Sequence, residues 1–275
     1  MGYKQNLHTH SSFGDGAETP EEIIQCAIER GFDSIGFSEH SYFKHSTYFA
    51  SRVDNTLEYK AEINRLKEKY RGSFPVFCGL EVEMYSDAEL LGFDYLIGSV
   101  HYLKVGDEYV GFDVRDPANV KETIDRYFGS GIEFAKAYYK TLCELPKRAD
   151  FDIVGHFDLL TKHREIAEFI DTSSREYRNA AIEAAEALAG KIPYFEVNTG
   201  GVARGYRDYP YPSSEIMREL GRLGFGAVIS SDCHITDTID FGFDAAEELL
   251  CSCGFKEKYI LTENGFISVS IGEKK

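Results

Sequence analysis

Short apolar segments rich in β-branched and aromatic residues alternate along the chain with longer segments of helical period. DSIGFSEH, PVFCGLEVE, YLIGSVHYL, FDIVGHFD, PYFEVNTGG and FGAVISSDCH read as strands. LEYKAEINRLKEKY, SSREYRNAAIEAAEALAG, SSEIMRELGRLG and DAAEELLCSCG read as helices, and a long helical region runs roughly from 118 to 145. The first helix has a legible start. Thr19 stands at the N-cap, Pro20 suits the first helical position, and Glu22 sits where a capping box takes an acid. The same helix then runs as IIQCAIER to Gly31, a residue suited to a helix C-terminus. Seven parallel strands are expected, at 4–8, 34–39, 76–81, 95–100, 151–156, 194–198 and 226–231. The segment 259–271 reads as a short β addition. Strand-then-helix order with short connections predicts an α/β fold on a parallel sheet. No linker, low-complexity stretch or fixed repeat divides the chain, so residues 1–275 read as one domain.

The polar residues give this pattern a chemistry. The chain opens MGYKQNLHTHSSFGDG, and residues two apart in a strand point to the same side. His8 and His10 can therefore aim at one point. The next strands end in Glu39 and His40, Glu81, His101, His156, and Asp232 with His234. Six of the eight histidines thus fall at C-terminal strand ends, His45 and His163 being the exceptions. In a closed or nearly closed parallel barrel these ends converge on one face, where active sites sit. The set holds imidazoles and carboxylates without thiolates, which suits zinc, manganese or iron(II). Counting Asp15 in the first loop, ten candidates are too many for one ion and fit two or three divalent metals. Glu81, ending a central strand, is the choice for a bridging carboxylate. Glu39, and Glu83 on the same strand face as Glu81, are read as partners that orient a histidine.

Composition narrows the classes. With 43% hydrophobic and 28% charged residues, the 275-residue chain reads as soluble and globular. It has no apolar run of signal-peptide or membrane-span length, so no membrane partner is expected. A net charge of −16 argues against a dedicated nucleic-acid binder, although bound metal can reverse the sign locally. The six cysteines are scattered without a CxxC pair, as expected of free thiols in a reducing cytoplasm. Cys251-Ser-Cys253 lacks the second pair that a zinc site would need.

HTHSSFGDG, GFSEH, GLEVE, GSVHYL, IVGHFDLL, EVNTGG and SDCH, in this order, resemble the PHP (polymerase and histidinol phosphatase) superfamily, and more closely its histidinol-phosphate phosphatases. The resemblance runs from residue 3 to about 245. It implies a distorted (β/α)7 TIM-like barrel with a trinuclear metal site at the C-terminal strand ends, zinc foremost and manganese or iron as alternatives. One ion would take His8, His10, Glu81 and Asp232. A second would share Glu81 and add His101 and His156. A third would take Asp15, His40 and His234, with Glu18 near Asp15 as the other loop acid.

A cluster of metals suits phosphate ester hydrolysis, and a hydroxide bridging the first two ions is the expected nucleophile. Asp232, His234 and Glu81 are the candidate catalytic residues. The substrate is a small phosphate monoester, L-histidinol phosphate by resemblance. Its phosphate calls for cations. The sixth strand is followed by GGVARGYRDYPYP, which offers Arg204 and Arg207, and TKHRE offers Lys162 and Arg164. Arg204 is the first choice among them, and Asn198 is a further candidate for metals or substrate. His163 is expected at the surface or facing substrate, and HSTYF, from His45, as part of a lid. A PHP-type nuclease, or a phosphoesterase for nucleotides or another small monoester, would share the same ligands, and a non-catalytic metal-binding module is a third reading. The acidic charge, HFDLLTK and EVNTGG favour the phosphatase.

Overall fold

The computed structural model describes residues 3–47 and 54–272. Its core is a seven-stranded parallel sheet ordered β1 (Gln5–Asn6), β2 (Ser34–His40), β3 (Val76–Glu83), β4 (Tyr95–Ser99), β7 (Ile153–Val154), β8 (Tyr194–Asn198) and β9 (Gly226–Ser230). The sheet curls into a nearly closed barrel. The seam between the first and last strands is held by one parallel bridge, Thr9 to Cys233. There the His10 N–H donates to the Cys233 carbonyl at 2.9 Å, and Asn6 Nδ2 donates to Ser231 Oγ at 2.8 Å.

Helices cover the outside: α1 (Pro20–Glu29), α2 (Thr56–Lys69), α3 (Pro117–Tyr127), α4 (Gly131–Leu142), α5 (Leu145–Arg148), α6 (Arg175–Leu188), α7 (Gly200–Ala203), α8 (Ser214–Arg222) and α9 (Phe243–Ser252). The capping box of α1 is present, with Thr19 and Glu22 bonded reciprocally. The outward strand face packs on these helices through Phe37, Leu80, Val82, Val154, Phe195, Val197 and Ile229, all buried. The inward face changes along its height. Phe77, Tyr95, Ile97, Ile153 and Val228 form a separate apolar cluster with Leu7 and Leu261 at the N-terminal strand ends. Leu261 comes from the antiparallel hairpin β10 (Glu257–Thr262) and β11 (Gly265–Ser270), which caps that end.

Three expectations change. The helical region 118–145 breaks at Gly129, whose φ of +74° suits glycine, and Ser130 caps α4 by accepting from the Glu133 N–H. The fifth strand shrinks to Ile153–Val154. Beyond His101 the chain forms an antiparallel hairpin, β5 (Tyr102–Val105) and β6 (Glu108–Gly111), turning at Gly106 with φ +62°. The reading as a strand followed by a helix passed over it.

Candidate metal centre

Inward residues at the C-terminal strand ends are polar and buried. His8, His10, Glu81, His101, His156 and Asp232 are each at most 7% exposed. Glu81 stands at the middle. Its Oε1 lies 2.9 Å from His156 Nε2 and 3.2 Å from His101 Nε2. Its Oε2 lies 2.7 Å from His40 Nδ1 and 3.4 Å from His8 Nε2. One oxygen toward each histidine group is the arrangement a bridging carboxylate requires. Asp232 Oδ1 is 3.3 Å from His10 Nε2 and 3.7 Å from His8 Nε2. The first loop brings Asp15 to 3.3 Å from His234 Nε2 and 3.7 Å from His40 Nε2. That loop turns tightly against the first strand: a Cβ on Gly16 would sit 2.4 Å from the His10 carbonyl oxygen. Glu18 points its carboxylate elsewhere, accepting from the Thr236 N–H at 3.2 Å. Of the two loop acids, only Asp15 stands among the histidines.

Donor atoms gather in three sets, each within 4.8 Å: His10, Asp15, His40 and His234; His8, His10 and Asp232; His40, Glu81 and His101. The grouping differs from the implied one: His10 also joins the Asp15 set, His40 joins Glu81 and His101, Glu81 is absent from the His8, His10 and Asp232 set, and His156 is in none of the three. His156 meets the cluster through Glu81.

The electrostatics mark this cluster as a cation site. Burial opposes charge on His8, yet Glu196, Glu81 and Asp232 lift its pKa well above the ordinary value. Burial likewise opposes charge on His40, and Glu81 and Asp15 outweigh it. Glu81 is held far below the carboxylate range, against burial, by His8, His40 and His101. His10, between His234 and His40, is pushed by burial and those neighbours down to about 3. A neutral imidazole is the form that binds metal. Both ring nitrogens of His10 and Nε2 of His8 are buried without a hydrogen bond. Buried polar atoms without partners are costly unless something else satisfies them. Convergent donors of this kind fit divalent ions.

Carboxylates behind the cluster hold its imidazoles. Glu83 Oε2 accepts from the His101 N–H at 2.7 Å and meets His101 Nδ1 at 3.1 Å. Glu39, expected to orient a histidine, instead accepts from the Ser11 N–H and hydroxyl at 2.8 and 2.6 Å and stays 3.9 Å from His10 Nδ1, and burial pushes its pKa up to about 8. The sequence reading missed Glu196. It is fully buried, 2.9 Å from His8 Nδ1, and accepts from the His156 N–H at 2.6 Å. Its signal was an acid at the centre of the apolar strand YFEVN.

The candidate substrate residues divide. Arg204 joins the cluster: Nη2 is 2.8 Å from Asp232 Oδ2, and Nη1 is 3.2 Å from His234 Nδ1. Lys162 pairs with Asp113 at 2.6 Å and lies over the Tyr206 ring. Arg207 does not reach the cluster. It is buried against Tyr211, its Nη1 bonded to Thr161 Oγ1 at 2.9 Å and Asp158 Oδ1 at 3.3 Å. Arg164 is exposed and lines a separate cavity of about 760 Å³ between α6 and α8. Asn198 turns its amide onto Glu196 and the Gly200 N–H, both at 2.9 Å. His163 is buried, not surface: its Nε2 meets the Val114 carbonyl at 2.8 Å. His45 stacks on Tyr109, while Tyr48 and Phe49 of the expected lid lie outside the described residues.

Known proteins share this architecture. A probable histidinol-phosphatase of Deinococcus radiodurans is 27% identical, with 88% of this chain and 91% of that protein covered. The histidinol-phosphatase of Lactococcus lactis is 27% identical, with 92% and 93% covered. A solved structure of the Lactococcus lactis histidinol phosphate phosphatase, complexed with zinc, L-histidinol and phosphate, superposes with a TM-score of 0.71 at 22% identity, covering 96% of this chain and 98% of that one. A solved structure from Listeria monocytogenes, named a putative histidinol phosphatase, gives a TM-score of 0.75 at 20% identity, covering 88% and 99%. The PHP domain family model matches residues 6–200, from the first histidine strand through the Glu196 strand. With most of its length inside that match, the chain belongs to the PHP domain family.

Proposed function

We propose that the chain is a metal-dependent phosphatase that hydrolyses L-histidinol phosphate to L-histidinol and phosphate, a step of histidine biosynthesis. The observation that carries the reading is the convergence of six imidazoles with Glu81, Asp232 and Asp15 at the barrel mouth, several of their donor atoms buried without a partner. The names of relatives covered nearly end to end support the substrate. His8, His10, Asp15, His40, Glu81, His101, His156, Asp232 and His234 would hold two or three divalent ions, zinc foremost. Such ions neutralise phosphoryl oxygens and make water acidic enough to react at neutral pH.

The chain's own residues do the rest. Arg204 sets a permanent cation beside Asp232 and His234, where guanidinium can match two phosphoryl oxygens. Lys162 adds a second cation. Burial would raise the pKa of Asp232, but Arg204 and His8 hold it well below the usual range. Asp232 therefore stays ionised and cannot supply a proton. The six cysteines are unpaired, which supports a reducing, cytoplasmic setting. No helix among the described residues is long and apolar enough to cross a membrane.

The test is phosphate release by purified protein from L-histidinol phosphate, an aryl phosphate and a short single-stranded DNA, before and after chelation. Preference for histidinol phosphate, lost on chelation and restored by Zn²⁺ or Mn²⁺, is expected. Turnover of DNA alone would move the chain to the nuclease reading.

A further inference from the structure

L-Histidinol phosphate carries a primary ammonium on the carbon next to its ester carbon. A site that places the phosphate on the cluster must therefore receive this cation close by. A buried or half-buried ammonium needs a carboxylate that is ionised and has a free oxygen. Most carboxylates behind the cluster are already engaged. Glu83 holds His101, and Glu196 serves His8, His156, Asn198 and Ser230. Asp158 takes Arg207 on one oxygen and the Ser213 N–H on the other. Glu39 is 3% exposed, with one oxygen taken by the Ser11 N–H and hydroxyl, so it is closed off from a ligand.

Asp113 differs. It follows the β5–β6 hairpin, and that stretch is pinned to the barrel mouth on two sides. The Phe112 N–H donates to the His101 carbonyl at 3.2 Å, and the Val114 carbonyl meets His163 Nε2 at 2.8 Å. Lys162 holds Oδ1 at 2.6 Å, while Oδ2 has no hydrogen-bond partner among the described residues. The side chain keeps 23% of its surface exposed. Its charge is felt by Arg204 and Tyr211, and it feels His101 and His156 in turn. The Phe112–His101 bond on one side and Lys162 on the other place it at the His101 side of the mouth.

We infer that Asp113 forms an ammonium subsite, its free oxygen receiving the primary amine of an aminoalkyl phosphate while Lys162 holds the other oxygen beside the phosphate. This inference rests on the phosphatase reading above. It makes the Asp113–Lys162 pair a two-ended receptor in which the lysine addresses the substrate's anion and the aspartate its cation. The pair neutralises itself when the site is empty, so neither charge is stranded.

The experiment compares kcat/KM on L-histidinol phosphate and on its analogue lacking the amino group, for wild type, Asp113→Asn and Lys162→Gln. The ratio of the two is expected to fall about 10- to 100-fold in Asp113→Asn, the range of one charge-assisted hydrogen bond, and to persist in Lys162→Gln, which weakens both substrates together. An unchanged ratio in Asp113→Asn overturns the inference and leaves Asp113 a positioning residue for Lys162. Inhibition of the wild type by L-histidinol and by its deaminated analogue gives a reading independent of any variant's folding, and equal inhibition also overturns it. If 2-aminopropyl phosphate is the better substrate and Asp113→Asn abolishes that preference, the subsite stands and the histidinol reading falls.

Discussion

The two ends of the barrel are built from the same inward strand face and do opposite things. On β3 the face runs from Phe77 through Gly79 to Glu81 and Glu83, and on β9 from Val228 to Ser230. Below, Phe77, Tyr95, Ile97, Ile153 and Val228 pack with Leu261 into an apolar plug. Above, three or four residues further on, buried imidazoles and carboxylates follow: Glu81 after Phe77, His101 after Ile97, His156 after Ile153 and Asp232 after Val228. The lower end lowers the free energy of the fold by apolar burial. The upper end raises it, because clustered buried charges are unfavourable until paired or bound to metal. The fold tolerates its site because the plug supplies what the site takes away.

The sharpest way to break this contrast is Asp232→Asn. Asp232 sits at φ +47°, a backbone region asparagine also accepts, so the turn should survive. Turnover is expected to fall by at least about a thousandfold, since one charge at the cluster is worth several kcal/mol in the transition state. Steady-state kinetics with metal analysis checks it, and full activity with metals bound would sink the proposed site. The mirror experiment is Ile153→Ala, at the plug and 0% exposed. It should reduce stability by about 2–5 kcal/mol in denaturant unfolding while the folded fraction keeps its kcat. A loss of kcat without loss of stability would erase the division between the two ends.

Two arginines three residues apart give a finer version. Arg204→Ala should raise KM with little change in stability. Arg207→Met should leave Asp158 short of a partner and reduce stability by about 1–3 kcal/mol, read by thermal melting. The smallest effect is in acid. Burial would raise the pKa of Asp113, but Lys162, with His101 and His156, brings it down to about 2. A carboxyl depressed below its unfolded value of about 3.9 stabilises the fold above that pH. The contribution, on the order of 1 kcal/mol, should disappear as pH falls from about 4 to about 2. Asp113→Asn should flatten that part of an unfolding curve measured against pH.

Much of the upper end was legible because strand geometry translates directly into sequence. A histidine or acid closing an apolar run has few places to go once seven strands converge, so His8, His10, His40, His101, His156 and Asp232 could be read without coordinates. The lower plug left no such mark, since Tyr95 and Ile153 look like any strand residues. Glu196 was hidden because an acid flanked by Phe195 and Val197 reads as noise until His8 is seen against it. Arg207 and His163 were misplaced for a related reason. Arg207 was read as a phosphate grip and His163 as surface or substrate-facing, and only tertiary partners, Asp158 and the Val114 carbonyl, show that both are turned inward.

The seam between Thr9 and Cys233 has a consequence in time. It places the histidines near the start of the chain beside Asp232 and His234, more than two hundred residues later. A ribosome-bound chain that has emerged only as far as β8 has His8 and Glu81 but neither Asp232 nor His234. Its metal pocket is therefore unfinished until residues 232 and 234 have been made. Complete loading of the ions then waits for the seam to close, and a chain truncated before residue 232 should be apo however well its earlier strands are folded.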